Sequence, residues 1–205
     1  MERILVTGST GQLGSELQIL SECYSKFEWL FADRSQISLD DLILLSDQLD
    51  NYTPDIIINC AAYTAVDQAE SEQAQADLIN HQAVGLLASW SAANDAKLIH
   101  ISTDYVFDGT SSTALDEYAP TDPINVYGAT KLLGEKLCLE NNPRAIIIRT
   151  SWVYSSFGNN FVKTMMRLME ERDNLNVVKD QVGSPTYAAD LANAIILVFV
   201  FGCGN

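Results

Sequence analysis

Short β-branched runs alternate with stretches of helical spacing along this chain, which predicts a doubly wound α/β fold: a parallel sheet covered by helices on both faces. Three observations carry the prediction. Arg3 to Thr7 is a strand-like run that leads straight into a glycine turn at Gly8, Gly11 and Gly14. Ile56-Ile57-Ile58 and Ile146-Ile147-Ile148 are apolar on both faces, as strands buried from either side must be. Tyr127 and Lys131, in Tyr127-Gly128-Ala129-Thr130-Lys131, stand four residues apart and so share one face of a helix.

The elements come in order. After the glycine turn, residues 12–23 have helical spacing, and 27–32 are again strand-like, completing a β-α-β unit. A helix is expected over roughly 39–49, a strand at 55–60, a helix within 74–93 and a strand at 97–102. The long loop 107–123 is rich in Gly, Ser, Thr, Asp and Pro, and comes after a strand, where loops of such sheets face the ligand crevice. The helix of Tyr127 and Lys131 comes next, then a strand at 145–150, a helix at 157–172 and a strand at 175–178. From Ala188 a helix turns uniformly apolar and stops at Gly202-Cys203-Gly204-Asn205. A helix apolar all round calls for burial, and no later segment is there to cover it, so a truncated or altered end is expected.

With 205 residues and 47% hydrophobic composition, the chain can bury one sizeable core, and one domain is the default. Twelve basic against 27 acidic residues leave a net charge of -15. That charge opposes nucleic acid and anionic membrane surfaces, and it requires that any anionic dinucleotide be held by local devices such as a helix N-terminus. Cys23, Cys60, Cys138 and Cys203 are scattered without CxxC spacing and read as reduced thiols of a cytoplasmic protein. The longest unbroken apolar run, 194–201, is far short of a membrane span, and no secretory leader is seen.

The chemistry concentrates in a few motifs. Gly8-Ser9-Thr10-Gly11-Gln12-Leu13-Gly14 ends a strand and opens a helix, so its backbone can approach a pyrophosphate while the helix N-terminus supplies amide donors. Asp33, 19 residues after Gly14, stands where an acidic side chain accepts hydrogen bonds from an adenosine ribose. A carboxylate there favours NADH, whereas the adjacent Arg34 could hold the 2′-phosphate of NADPH, so both cofactors stay open. Lys131 beneath Tyr127 is expected to favour the ionised phenol, bringing a group that ordinarily titrates near ~10 into exchange range. Ser102, Thr103 and Asp104 lie at the end of the fourth strand, where a hydroxyl can share a hydrogen bond with a substrate carbonyl and with Tyr127. His81 and His100 have no metal spacing and read as structural, and Trp152 reads as core packing rather than a stacking platform. No set of side chains has the spacing of a catalytic metal site.

Together the glycine turn, the run Ser102 to Gly109 and the Tyr127 to Lys131 motif resemble the extended short-chain dehydrogenase/reductases, and within them the dTDP-4-dehydrorhamnose reductase family. Asn59 to Asp67, Arg149 to Tyr154 and Asp180 to Thr186 add to the likeness, which runs to about Asn193. It implies a Rossmann-like NAD(P)-binding domain over 1–205, in which 151–205 includes the start of an incomplete substrate-binding region. It also implies reduction of the 4-keto group of dTDP-6-deoxy-L-lyxo-4-hexulose to dTDP-L-rhamnose, a precursor of cell-surface polysaccharide, with NADPH or NADH. By the resemblance Tyr127 protonates the carbonyl oxygen, Lys131 lowers the phenol pKa and holds the nicotinamide ribose, and Thr103 bonds the keto oxygen. Asp104 and Trp152 would contact the sugar nucleotide. Gly8, Thr10, Gly11, Gln12, Leu13, Asp33, Arg34, Ala62, Tyr63 and Thr64 would line the cofactor, with Asn80 supporting the site.

The likeness has limits. Members carry a further C-terminal segment that completes the sugar-nucleotide site. Some relatives dimerise through a glutamate-bound metal; Glu16 matches one such position but Ala189 stands at another, so a homodimer is expected, if at all, without the metal. Two other readings stay open: an epimerase or dehydratase of the same superfamily, and a non-catalytic dinucleotide-binding regulatory subunit.

Overall fold

The computed structural model describes residues 1–200. Five parallel strands form one sheet in the order β2-β1-β3-β4-β5, with β1 at Arg3–Thr7, β2 at Glu28–Ala32, β3 at Ile56–Asn59, β4 at Lys97–Thr103 and β5 at Ile146–Thr150. The order reverses between β1 and β3, the switch point at which such sheets leave a crevice beyond the strand C-termini. The helices are α1 (Gln12–Ser21), α2 (Leu42–Tyr52), α3 (Val66–Ala69), α4 (Gln73–Asp77), α5 (Ala83–Ala93), α6 (Val126–Asn141), α7 (Phe161–Glu171) and α8 (Ala188–Val200). Two short strands, β6 (Val153–Tyr154) and β7 (Thr186–Tyr187), pair parallel in a separate two-stranded sheet.

The register explains the two-faced core. Leu5, Ile57 and Leu98 are mutual partners across β1, β3 and β4 and point to one face, where they meet Leu45 and Leu49 of α2 and Val84 and Leu87 of α5. Val6, Ile58 and Ile99 point to the other and meet Leu13 and Leu17 of α1. Because side chains alternate along a strand, three consecutive isoleucines in β3 can only be satisfied by helices on both sides.

Several expectations change. β5 is an edge strand, and Ile146 at its start is 39% exposed, while Ile147 and Ile148 are partly buried against the cores on opposite faces of the sheet. The proposed strand at 175–178 is irregular backbone with Val177 and Val178 exposed, because no neighbouring strand offers it a ladder. The single helix sought within 74–93 is broken into α4, a five-residue π-helical turn at Leu78–Gln82, and α5. The apolar α8 is covered after all: Leu191, Ala192, Ile195, Ile196 and Phe199 lie against Ile4, Val6 and Leu17 beside α1. Phe199 stands edge-on to Phe27 with ring centroids 5.5 Å apart. The closing residues 201–205, Cys203 among them, lie outside the described residues.

Replacing the fully buried Ile195 by Ala should therefore cost about 2–5 kcal/mol in a urea unfolding titration. Leu197→Ala, at a position 52% exposed on the opposite side of the same helix, should stay within about 0.5 kcal/mol. Equal losses at the two positions would refute the assignment of α8's inner face.

Candidate functional site

The first strand ends against a turn that only glycine can make. Gly8 has φ +66, and a Cβ on it would come within 2.8 Å of Ala61 N in the loop after β3. Gly11 N donates to Gly8 O at 3.0 Å, closing the turn, and Gly11 then stands at the N-cap of α1, where no side chain caps the helix. The first-turn amides of α1 are therefore left without a side-chain acceptor, the arrangement that receives a pyrophosphate. Thr10, Gly11 and Gln12 are at this mouth. Leu13 turns its side chain into the core beside Leu17 and offers only backbone. Gln12 bridges outward, accepting from Asn160 Nδ2 at 2.9 Å and donating to Val153 O at 3.3 Å. These features suit a dinucleotide.

At the C-terminal end of β4 the chain turns through a short 3-10 helix, Asp104–Val106, capped by Thr103, whose hydroxyl accepts from Tyr105 N at 3.2 Å. The same hydroxyl donates to Asp104 Oδ1 at 3.2 Å, while Asp104 Oδ2 accepts from Ser151 Oγ at 2.6 Å. Tyr127 and Lys131 both project inward from α6, 9% and 1% exposed. The Tyr127 ring meets Tyr105 edge-on at 5.4 Å.

The expected electrostatic coupling of this pair is not what the geometry delivers. Lys131 Nζ donates to Ile101 O at 2.6 Å and lies 3.2 Å from His100 Nε2, beneath the sheet edge rather than at the phenol oxygen. Burial pushes the Tyr127 phenol above its ordinary value; the Thr103 hydroxyl beside it pulls the other way, and Asp104 and Tyr105 add to the rise. Tyr127 is thus held protonated, the state that a proton donor needs. Lys131 itself is driven down to about 8, first by burial, with Glu135, Cys138 and Cys60 opposing.

Several residues that composition and spacing passed over complete the site. His100, read as merely structural, is fully buried against Lys131, and its Nδ1 lies 3.0 Å from Asn59 Nδ2. Asn59 Oδ1 accepts from Thr7 Oγ1 at 2.6 Å. Asn80, in the π-helical turn, accepts from Tyr63 N at 2.9 Å and donates to Tyr63 O at 3.1 Å and to Thr130 Oγ1 at 3.3 Å, tying the loop after β3 to α6. This contact needs Gly134, since a Cβ there would meet Asn80 O at 2.0 Å. Arg149 of β5 forms a bidentate pair with the buried Glu135 of α6 and lies over the Phe107 ring. The signal available beforehand was polarity: Thr7, Asn59 and His100 each interrupt or end an apolar strand. The Ser102 and Thr150 hydroxyls are buried without a hydrogen-bond partner among the described residues.

The remaining candidates fall around the rim. Asp33 Oδ1 accepts from Ser35 N and Ser35 Oγ, which hold its carboxyl below the usual range, and Arg34 pairs with Asp40. Arg34 and Tyr63 line one cavity with Glu72 and Ile79, and Tyr63 donates its hydroxyl to Glu72. Ala62 and Thr64 lie in the same loop. Trp152 is not core: it is 45% exposed, with φ 45, and its indole lies so close to Gly183 that a Cβ there would come within 2.6 Å. Glu16 is buried and accepts from Ser155 Oγ at 2.6 Å. Among the described residues no group of three or more His, Cys, Asp or Glu could hold a metal, and no helix is long and apolar enough to cross a membrane.

Comparison with known proteins agrees with this geometry. Residues 1–200 match the model of the RmlD substrate binding domain family. A dTDP-4-dehydrorhamnose reductase of Aggregatibacter actinomycetemcomitans is 43% identical over 198 residues, 97% of this chain and 67% of that protein. The enzyme of the same name from Salmonella typhimurium is 44% identical over 200 residues, 93% of this chain and 64% of its own length. The crystal structure of dTDP-4-dehydrorhamnose reductase from Bacillus anthracis in complex with NADP superposes with a TM-score of 0.94 at 42% identity, over 100% of this chain and 72% of that one. The chain thus spans about two thirds of the length of the curated relatives it matches. A family model matched over residues 1–200, a superposable fold and this level of identity lead to one conclusion: the chain belongs to the dTDP-4-dehydrorhamnose reductase family.

Proposed function

We propose that this chain is the dinucleotide-binding part of an NAD(P)H-dependent reductase that converts dTDP-6-deoxy-L-lyxo-4-hexulose to dTDP-L-rhamnose, with residues 151–200 forming the start of its substrate-binding region. The observation that carries the reading is that the Thr103 hydroxyl lies beside the Tyr127 phenol at the end of β4, with Lys131 bound to Ile101 O of the same strand and the uncapped glycine turn at the end of β1. A bound NADPH or NADH supplies the hydride; the remaining work belongs to side chains of this protein. Gly8, Thr10, Gly11, Gln12 and the amide of Leu13 receive the pyrophosphate, and Asp33, Arg34, Ala62, Tyr63 and Thr64 flank the adenosine end. The B. anthracis relative was crystallised with NADP, which supports the phosphorylated cofactor. Arg34 is the cation nearest to Asp33 in sequence, and its side chain is 77% exposed, free to leave Asp40 for a 2′-phosphate.

On the sugar side, Thr103 Oγ donates to the keto oxygen once it turns from Asp104, and Tyr127 delivers its phenolic proton to the same oxygen as negative charge develops there. The raised phenol pKa keeps that proton in place until it is needed. Lys131 supports the nicotinamide ribose from its place on the Ile101 carbonyl. Asp104 and Trp152, one anchored by Ser151 and the other standing out from the surface, contact the sugar nucleotide.

Full-length protein given NADPH and the dTDP-4-keto sugar should oxidise the cofactor, monitored by absorbance. Tyr127→Phe should lose roughly 10²-fold or more in kcat while binding NADPH normally; an unchanged rate would sink the assignment of the proton donor. Gly8→Ala forces a side chain into a left-handed backbone at a cost of about 1–3 kcal/mol and against Ala61 N. Its NADPH affinity should fall at least about tenfold in a fluorescence titration, whereas intact affinity would remove the pyrophosphate from this turn.

A further inference from the structure

The buried polar row beneath Lys131 has a donor and acceptor logic that the reductase reading does not use. Thr7, Asn59 and His100 are register partners across β1, β3 and β4, so their side chains share one face at the strand ends. From Thr7 Oγ1 the contacts run to Asn59 Oδ1 at 2.6 Å, from Asn59 Nδ2 to His100 Nδ1 at 3.0 Å, and from His100 Nε2 to Lys131 Nζ at 3.2 Å. All these residues are buried, so water cannot mend a mismatch.

An ammonium has three donors and no acceptor, so opposite a charged Lys131 the Nε2 atom must carry a lone pair and the ring proton must be on Nδ1. Nδ1–H then needs the oxygen of Asn59, and the Asn59 amide nitrogen donates to Thr7 Oγ1. A neutral Lys131 carries a lone pair as well as N–H groups, so the opposite arrangement becomes allowed. Nε2–H donates to the amine lone pair, Nδ1 accepts from Asn59 Nδ2, and Asn59 Oδ1 accepts from Thr7, which is the orientation the structure has. Each arrangement puts a donor opposite an acceptor at all three contacts of the row; a mixture of the two sets two donors or two lone pairs face to face. The oxygen and nitrogen of an amide occupy nearly the same volume, which is why both arrangements fit one set of heavy-atom positions.

We propose that Thr7, Asn59 and His100 form a hydrogen-bond chain whose polarity reverses with the charge of Lys131, which makes His100 a positioning residue that lets this lysine exist in either protonation state at a fixed place. Net, one N–H bond is lost from the Lys131 and His100 pair, the proton passes to bulk water, and the ring stays neutral on both sides of the change. Burial and the neighbouring ammonium keep His100 from taking a second proton, since its pKa is well below the ordinary 6.5. Other titratable groups facing Lys131 are Cys60 after β3 and Glu135 and Cys138 of α6. Both thiols are pushed up to about 12, so neither changes charge in the window where Lys131 does, and Glu135 is paired with Arg149. The value of this device for catalysis rests on the role proposed for Lys131; its existence does not.

Nitrogen-15 NMR of the 205-residue protein labelled at histidine reads the tautomer directly, without substrate, cofactor or turnover. Only His81 and His100 contribute, and His81→Gln assigns them. The expected result is Nδ1–H at His100 below a midpoint near pH 8 and Nε2–H above it, the value to which Lys131 is lowered. In Lys131→Met the ring should keep one tautomer across the range. A single tautomer at every pH in the unsubstituted protein, or a switch that survives Lys131→Met, overturns the proposal. A switch found in a protein that fails to reduce the keto sugar would leave this chain standing and remove only the reductase assignment.

Discussion

A lysine ammonium kept from water inside a parallel sheet's edge is the constraint on which most of this structure depends. Desolvating such a cation costs several kcal/mol even after relaxation, so its acceptors cannot be optional. When charged, Lys131 has two, the Ile101 carbonyl and the lone pair of His100 Nε2, and both belong to β4. His100 can serve only as a neutral ring, and its second nitrogen then requires an amide, which β3 supplies through Asn59. Asn59 in turn is completed by Thr7 of β1. The row therefore depends on in-register pairing of the three central strands. A slip of one residue would turn these polar groups toward Val6, Ile58 and Ile99, where nothing could satisfy them.

The same need for close fit governs how α6 is seated. Gly134 lets the helix approach the carbonyl of Asn80, and the π-helical turn around that residue aims its amide at both Tyr63 and Thr130. An ordinary helical turn would rotate Asn80 away, and such irregularities tend to be found at functional sites. By this route the loop after β3, which passes against the glycine turn, is fixed relative to Tyr127. The Glu135 and Arg149 pair anchors the other side of α6 to β5. Crevice and Tyr127 are thus parts of one packed unit, and the raised pKa of its phenol is the electrostatic signature of that packing.

What could be read beforehand divides along physical lines. The glycine turn, the alternation of strands and helices and the Tyr127 and Lys131 spacing were legible because each is set by residues within a turn or two of one another. Trp152 was misread because an indole's apolar area says nothing about whether a neighbour arrives to cover it. The 175–178 run has strand-forming residues but no partner, and β-propensity without a ladder makes no strand. The α8 helix failed in the opposite sense: its apolarity was judged against the few residues after it in the chain, whereas its cover comes from α1 and β1, far earlier.

By itself, then, the amino-acid order determined the fold class, the alternation of the five main strands with helices and the shared face of α6 on which Tyr127 and Lys131 lie, since backbone periodicity and glycine stereochemistry are local properties. Tertiary structure alone decided what Lys131 touches. His100 is 31 residues away from it and Asn59 another 41 from His100, and only strand register makes them neighbours. Whether a buried lysine lowers a phenol's pKa or is instead bound beneath it by a ring and a carbonyl depends on a few ångströms that no spacing encodes, because Coulomb and hydrogen-bond energies fall off over the distance that packing sets.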